Sequence, residues 1–79
     1  MARVLLFGPL RDLAGWRERE FAAASLADLR AALGTEDRAL ADALAAPGVQ
    51  VALDQAIVRG DAALAPAAEV AFLPPMSGG

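Results

Sequence analysis

Histidine, cysteine, lysine and tyrosine are all missing from this 79-residue chain. Losing histidine and cysteine removes the commonest general base, the commonest thiol nucleophile and the commonest metal ligands. The chain therefore reads as having no catalytic groups of its own and no metal site. A disulfide framework is excluded, and a reducing compartment is permitted. The missing lysines leave no side-chain amine to attack an activated acyl group, within the molecule or on a neighbouring copy. A genome bias towards alanine, arginine and glycine codons is the plainer account of the same absence. Aromatic residues make up 5% of the chain. No apolar run approaches the roughly 20 residues of a membrane span. No charged segment followed by a short apolar one marks a signal peptide. A cytoplasmic protein with no membrane partner is expected.

All seven basic residues are arginines, scattered along the sequence, and the net charge is −3. That balance argues against nucleic acid and anionic membrane as partners. Apolar residues are 57% of the total, many of them alanine. A chain of this length makes one domain with a small core, burying about 60–65% of its unfolded surface.

Ala2–Phe7 is an apolar run stopped by Gly8-Pro9, and it reads as a strand buried on both faces. Pro9 suits the first turn of a short helix carrying Leu10 and Leu13 on one face, with Gly15 as its stop. Arg17–Ala22 is polar and weakly alternating, as an edge strand should be. Ser25 with Asp28 makes a capping pair for a helix carrying Leu26, Leu29 and Leu33 and closed by Gly34. Thr35 is expected to cap a second helix with Leu40 and Leu44 as its stripe, ended by Pro47-Gly48. Val49–Leu53 and Ile57-Val58 read as a hairpin around Asp54-Gln55. Glu69–Leu73 is the last strand, stopped by Pro74-Pro75. Apolar strands at both ends of the chain can pair in the middle of one mixed sheet with helices on one face. This is an α+β roll.

The sequence closes on Met76-Ser77-Gly78-Gly79. A Gly-Gly end can thread a channel too narrow for any side chain. Its terminal carboxylate is the one backbone group that can be activated as an acyl donor. Four residues past Pro75 reach roughly 13–14 Å when extended. The expected division is a domain over 1–75 and a flexible tail over 76–79.

Three segments resemble the small, sulfur-carrying subunit of molybdopterin synthase, within the ubiquitin-like β-grasp family. They are Phe7 with Leu10-Arg11-Asp12-Leu13-Ala14-Gly15, then Val51-Ala52-Leu53-Asp54-Gln55, then Glu69 through Phe72, Leu73, Pro74, Pro75 and Met76 to Gly79. The last is the most specific. Two turn positions depart from the family pattern: Ala67-Ala68 stands where that family has Gly-Asp, and Asp54 where it has Asn. The resemblance implies a β-grasp fold and a carrier mechanism. A ubiquitin-activating-like adenylyltransferase would use ATP to adenylate Gly79, with no cofactor bound by the carrier. A sulfur donor would then leave a thiocarboxylate. The large subunit of a heterotetrameric synthase would take the sulfur for dithiolene formation in molybdenum cofactor biosynthesis.

Ser77 and Gly78 are expected to thread the partner's channel behind Gly79. Leu73, Pro74, Pro75 and Met76, with Phe7 and Ile57, are expected to form an apolar partner surface, with Arg11 as a polar anchor. Plain core is the competing reading for Phe7 and Ile57. Two other functions fit the same residues. One is a ubiquitin-like carrier serving thiamin synthesis, tRNA thiolation or protein conjugation. The other is a binding module whose Gly-Gly end is incidental.

Overall fold

A computed structural model of the chain describes residues 1–75. The expected tail, Met76, Ser77, Gly78 and Gly79, lies outside the described residues. The elements run β1 (Ala2–Leu6), α1 (Gly8–Ala14), β2 (Glu18–Phe21), α2 (Leu26–Glu36), α3 (Arg38–Leu44), β3 (Gln50–Leu53), β4 (Ala56–Val58) and β5 (Glu69–Leu73). They build one five-stranded sheet in the order β2-β1-β5-β3-β4. The first and last strands pair in parallel at its centre, Val4 against Val70 and Leu6 against Phe72, and every other pairing is antiparallel. This is the mixed sheet expected from the two apolar ends of the sequence.

Side chains alternate across a strand, so each central strand presents two faces. One face carries Val4, Leu6, Val70 and Phe72, all fully buried, against Leu29, Leu33, Leu40 and Leu44 of α2 and α3. Burying a side chain of this size contributes about 1.5–3 kcal/mol. The other face of β1 behaves differently: Arg3 is exposed and Leu5 only half-buried. The expectation that β1 is buried on both faces is therefore corrected. The helices cover a single side of the sheet.

Turn chemistry fixes the connections. Asp54 and Gln55 both take positive φ, 48° and 71°, the geometry of a tight two-residue hairpin. Asp54 also ties the hairpin to β5: its N–H donates to the Glu69 carbonyl at 2.8 Å, and its Oδ1 accepts from the Glu69 N–H at 2.9 Å. One aspartate thus supplies both the turn and a side-chain acceptor for the neighbouring strand.

The helices depart from the expected boundaries at one point. Gly34 does not stop α2, which continues to Glu36, and Asp37 rather than Thr35 caps α3 by accepting from the Leu40 N–H at 3.0 Å. A Cβ at Gly34 would lie 3.4 Å from the Ala41 Cβ. The glycine serves close approach of two helices, a packing role that mimics a stop signal in sequence. Leu13 also falls outside the core, at 48% exposure, although Leu10 is buried as expected.

The start of α2 is satisfied by three separate acceptors. Ser25 Oγ accepts from the Asp28 N–H at 3.1 Å. The Ala62 carbonyl accepts from Leu26 at 2.9 Å. Asp61 Oδ1 accepts from both Ala27 and Ala62, at 2.9 and 2.8 Å. The loop after β4 is therefore stitched beneath α2, and Leu64 anchors it in the core. Replacing Asp61 with alanine should cost about 1–2 kcal/mol, because two amides lose one shared acceptor. Urea denaturation should show it as a lower midpoint at unchanged slope. A variant as stable as the parent would mean that water replaces both bonds.

Candidate functional site

The sheet face opposite the helices holds the candidate site. The pairing registers set out its rows. Arg3 lies between Glu20 and Glu69, and its guanidinium donates to Glu69 Oε1 at 2.7 Å and lies 3.7 Å from Glu18. The hydrogen bond to Glu69, then the field of Glu18, raises the Arg3 pKa further above its usual range. This row is charged and self-paired. The next row runs Glu18, Leu5, Ala71, Ala52, Ile57 across all five strands. A third row holds Leu73 against Gln50. Phe7 joins it one step beyond the last β1–β5 pair, its extended backbone (φ −127°, ψ 151°) keeping the alternation.

The result is an apolar band of Phe7, Leu73, Leu5, Ala71, Ala52 and Ile57. At about 4.8 Å per strand, the span from β1 to β4 is roughly 14 Å. Phe7 and Ile57 are 44% and 49% exposed, Leu73 is half-buried, and Ala71 is covered by its neighbours. Phe7 and Ile57 stand at opposite ends of the band and are not core.

Of the residues singled out from sequence, this face collects Leu73, Phe7 and Ile57. Pro74 and Pro75 continue from Leu73, the first half-buried and the second exposed. Arg11 stands apart. It lies on α1 and lines a shallow depression with Asp12, Gly15, Trp16 and Arg17. Sequence reasoning missed Leu5, Ala52 and Ala71. The signal was present: β1 and β5 are apolar at consecutive positions, yet the chain has helices enough for only one face. A sheet apolar on both faces and covered on one leaves the other for a partner.

Among the described residues no cluster of His, Cys, Asp and Glu could hold a metal ion, and no helix is long and apolar enough to cross a membrane. The ionisable groups of this face, among the described residues, are Arg3 with the carboxylates of Glu18, Glu20 and Glu69. Its apolar rows lie beside the place where the chain leaves β5.

Comparison with known proteins agrees on the architecture. The family model described as the ThiS family matches residues 4–79. The solution structure of small archaeal modifier protein 1 from Methanosarcina acetivorans is similar with a TM-score of 0.87 at 22% identity, covering 99% of this chain and 95% of that one. The crystal structure of the protein of that name from Haloferax volcanii gives a TM-score of 0.83 at 25% identity, covering 99% and 98%. No curated protein matches the chain by sequence. The α+β roll is thus a ubiquitin-like β-grasp fold.

The two faces should respond differently to truncation. Phe72→Ala is expected to cost about 3–5 kcal/mol, as for a buried aromatic. Phe7→Ala and Ile57→Ala should each cost less than about 1 kcal/mol, because half of each side chain already meets water. Chemical denaturation of the three variants checks this. A large loss at Ile57 would place it in the core after all.

Proposed function

The chain belongs to the ThiS family, and from that footing we propose that it is a sulfur carrier acting through the Gly79 carboxylate in molybdopterin biosynthesis. A free carboxylate is a poor electrophile, so an adenylyltransferase partner first joins it to the AMP portion of ATP and releases pyrophosphate. A sulfide-level sulfur nucleophile then attacks the acyl carbon, AMP leaves with the electron pair of the broken C–O bond, and a thiocarboxylate remains. Its sulfur is a soft nucleophile carried without a cysteine. The large synthase subunit would receive it for dithiolene formation. ATP, catalytic bases and metal chemistry all belong to the partners in this scheme.

The observation that carries the reading is the continuity of the apolar band with Leu73-Pro74-Pro75. A carrier must bind an activating enzyme and then an acceptor, and each must find the same chain end. Contact residues beside the root of that end serve both encounters. Ser77 and Gly78 then enter the partner's channel, which at Gly78 admits backbone and no Cβ. Pro74, Pro75 and Met76 extend the apolar footing, and Arg11, set apart on α1, is left out of it. The similarity of fold to proteins named modifiers favours a second reading, in which the activated carboxylate is joined to an amine of another protein. The missing lysines bar only side-chain linkage of one copy to another.

Intact mass after expression with an adenylating enzyme and a sulfur source should show oxygen replaced by sulfur at the C-terminus. Truncation of Gly79 should abolish that change at an unaltered melting temperature. Sulfur loading of the truncated chain would sink the carrier reading, and a mass shift found only on other proteins would select the modifier reading.

Leu73→Asp should weaken binding to both partners by about 2 kcal/mol or more, as expected for a contact hot spot. Calorimetric titration against each partner, beside a melting curve, is the check. Unchanged affinity for both would put the docking surface elsewhere.

A further inference from the structure

Two glycines distant in sequence meet the two prolines that close the described chain. Gly8, at the β1–α1 junction, has φ +55°, and a Cβ there would lie 3.4 Å from Pro74 Cγ. Gly48, between α3 and β3, has φ +89°, and a Cβ there would lie 3.0 Å from Pro75 Cβ and 3.2 Å from its Cγ. Gly15 and Gly60 also take positive φ, +82° and +74°, yet nothing stands within 4 Å of where their Cβ would be. Left-handed backbone accounts for glycine at all four positions. Of the four, only Gly8 and Gly48 lie against a proline ring, Gly8 at ordinary contact distance and Gly48 closer than a side chain would allow without a shift.

We propose that Gly8 and Gly48 form a seat that fixes the tail root, and that Gly48 is a positioning residue for loading of the carrier. The inference rests on the carrier reading of the preceding section. A proline ring is closed onto its own backbone nitrogen, with φ held near −65°. A contact on the ring is therefore a contact on the main chain. Leu73 and Pro74 each precede a proline, which restricts both to extended conformations. The segment from β5 to Pro75 is thus a stiff strut resting on two glycines. It sets the point from which residue 76 departs relative to the apolar band.

Position matters here because the remaining reach is short. Four residues span at most about 13–14 Å, which leaves little slack to absorb a displaced root. Favourable carbon contacts lie at about 3.5–4.0 Å. A Cβ at Gly48 would therefore push the Pro75 ring back by a few tenths of an ångström. Misplacement of a reacting group by about 1 Å can cost on the order of a hundredfold in rate. Phe7, Leu73 and Ile57 of the docking band are untouched by such a change and only the Pro75 ring at its margin moves, so turnover should fall more than affinity.

The comparison of Gly48→Ala with Gly60→Ala isolates the contact. Both place a side chain on left-handed backbone, and only the first meets a proline. Two readouts are taken. Nuclear Overhauser contacts between the Gly48 α-protons and the Pro75 ring protons report the seat in the wild-type protein. ATP–pyrophosphate exchange catalysed by the host's adenylating enzyme reports kcat and KM. The seat predicts the contacts in wild type, and a fall in kcat of at least about fivefold at near-constant KM for Gly48→Ala. Gly60→Ala should keep both constants near wild type. If Gly48→Ala fails to fold, Pro75→Ala carries the test: it opens the ring, leaves Gly48 in place, and should lower kcat at an unchanged melting temperature. Absence of the contacts in wild type overturns the seat. Equal kcat for Gly48→Ala and Gly60→Ala, or wild-type kcat for Pro75→Ala, overturns the positioning role. Wild-type protein that supports no exchange at all sinks the carrier reading itself, and the positioning role falls with it even where the contacts are seen.

Discussion

Parallel pairing of β1 with β5 places Val4, Leu6, Val70 and Phe72 side by side at the centre of the sheet, all without solvent exposure. The other elements are arranged around that pair. β2 protects one flank and β3 the other. The leucines of α2 and α3 close over the four central side chains. Because parallel strands cannot be joined by a tight turn, the chain between them has to form the helices and the outer strands. The same pair decides where the C-terminal segment emerges, since β5 runs beside β1 in the middle of the sheet rather than at its edge.

A small chain that builds only one helical layer cannot bury both sides of a sheet made from consecutive apolar residues. The uncovered side carries the band from Phe7 to Ile57, bounded by the Arg3–Glu69–Glu18 charges. The charged row sets one arginine, Arg3, against the carboxylates of Glu69 and Glu18, with Glu20 beside it, and so keeps a net negative charge. The apolar rows have no such partner of their own. The chain leaves β5 at the end of this band, from Leu73 into Pro74-Pro75.

Most of the fold was legible because its signals are local. Ser25 caps α2, the Asp54-Gln55 turn makes the hairpin, and Pro74-Pro75 ends β5, each through chemistry confined to a few residues. Signals that depend on distant neighbours were misread or missed. Gly34 has the identity of a helix stop and the job of a helix contact, which only the nearby Ala41 reveals. Asp61 carries no local sign of a role in α2, yet its carboxylate completes the start of that helix. The fate of Phe7 and Ile57 was undetermined in sequence, because exposure depends on which sheet face the helices choose. Leu5, Ala52 and Ala71 were missed for the same reason. Of the candidate site, the sequence singled out the chain's exit and both ends of the band; its middle follows only from strand register.

The central strand pair joins residues such as Arg3 and Glu69, 66 positions apart in sequence. Contacts this distant slow folding, because the intervening chain must be gathered before they can form. On the ribosome the consequence is one of timing. No nascent chain can close its sheet until the last strand has been made and has cleared the exit tunnel. A transcript cut short before residue 69 yields a product without its central strand, exposed and open to proteolysis. Folding therefore acts as a length check, and a chain that reaches the folded state has already been translated up to the root of its tail.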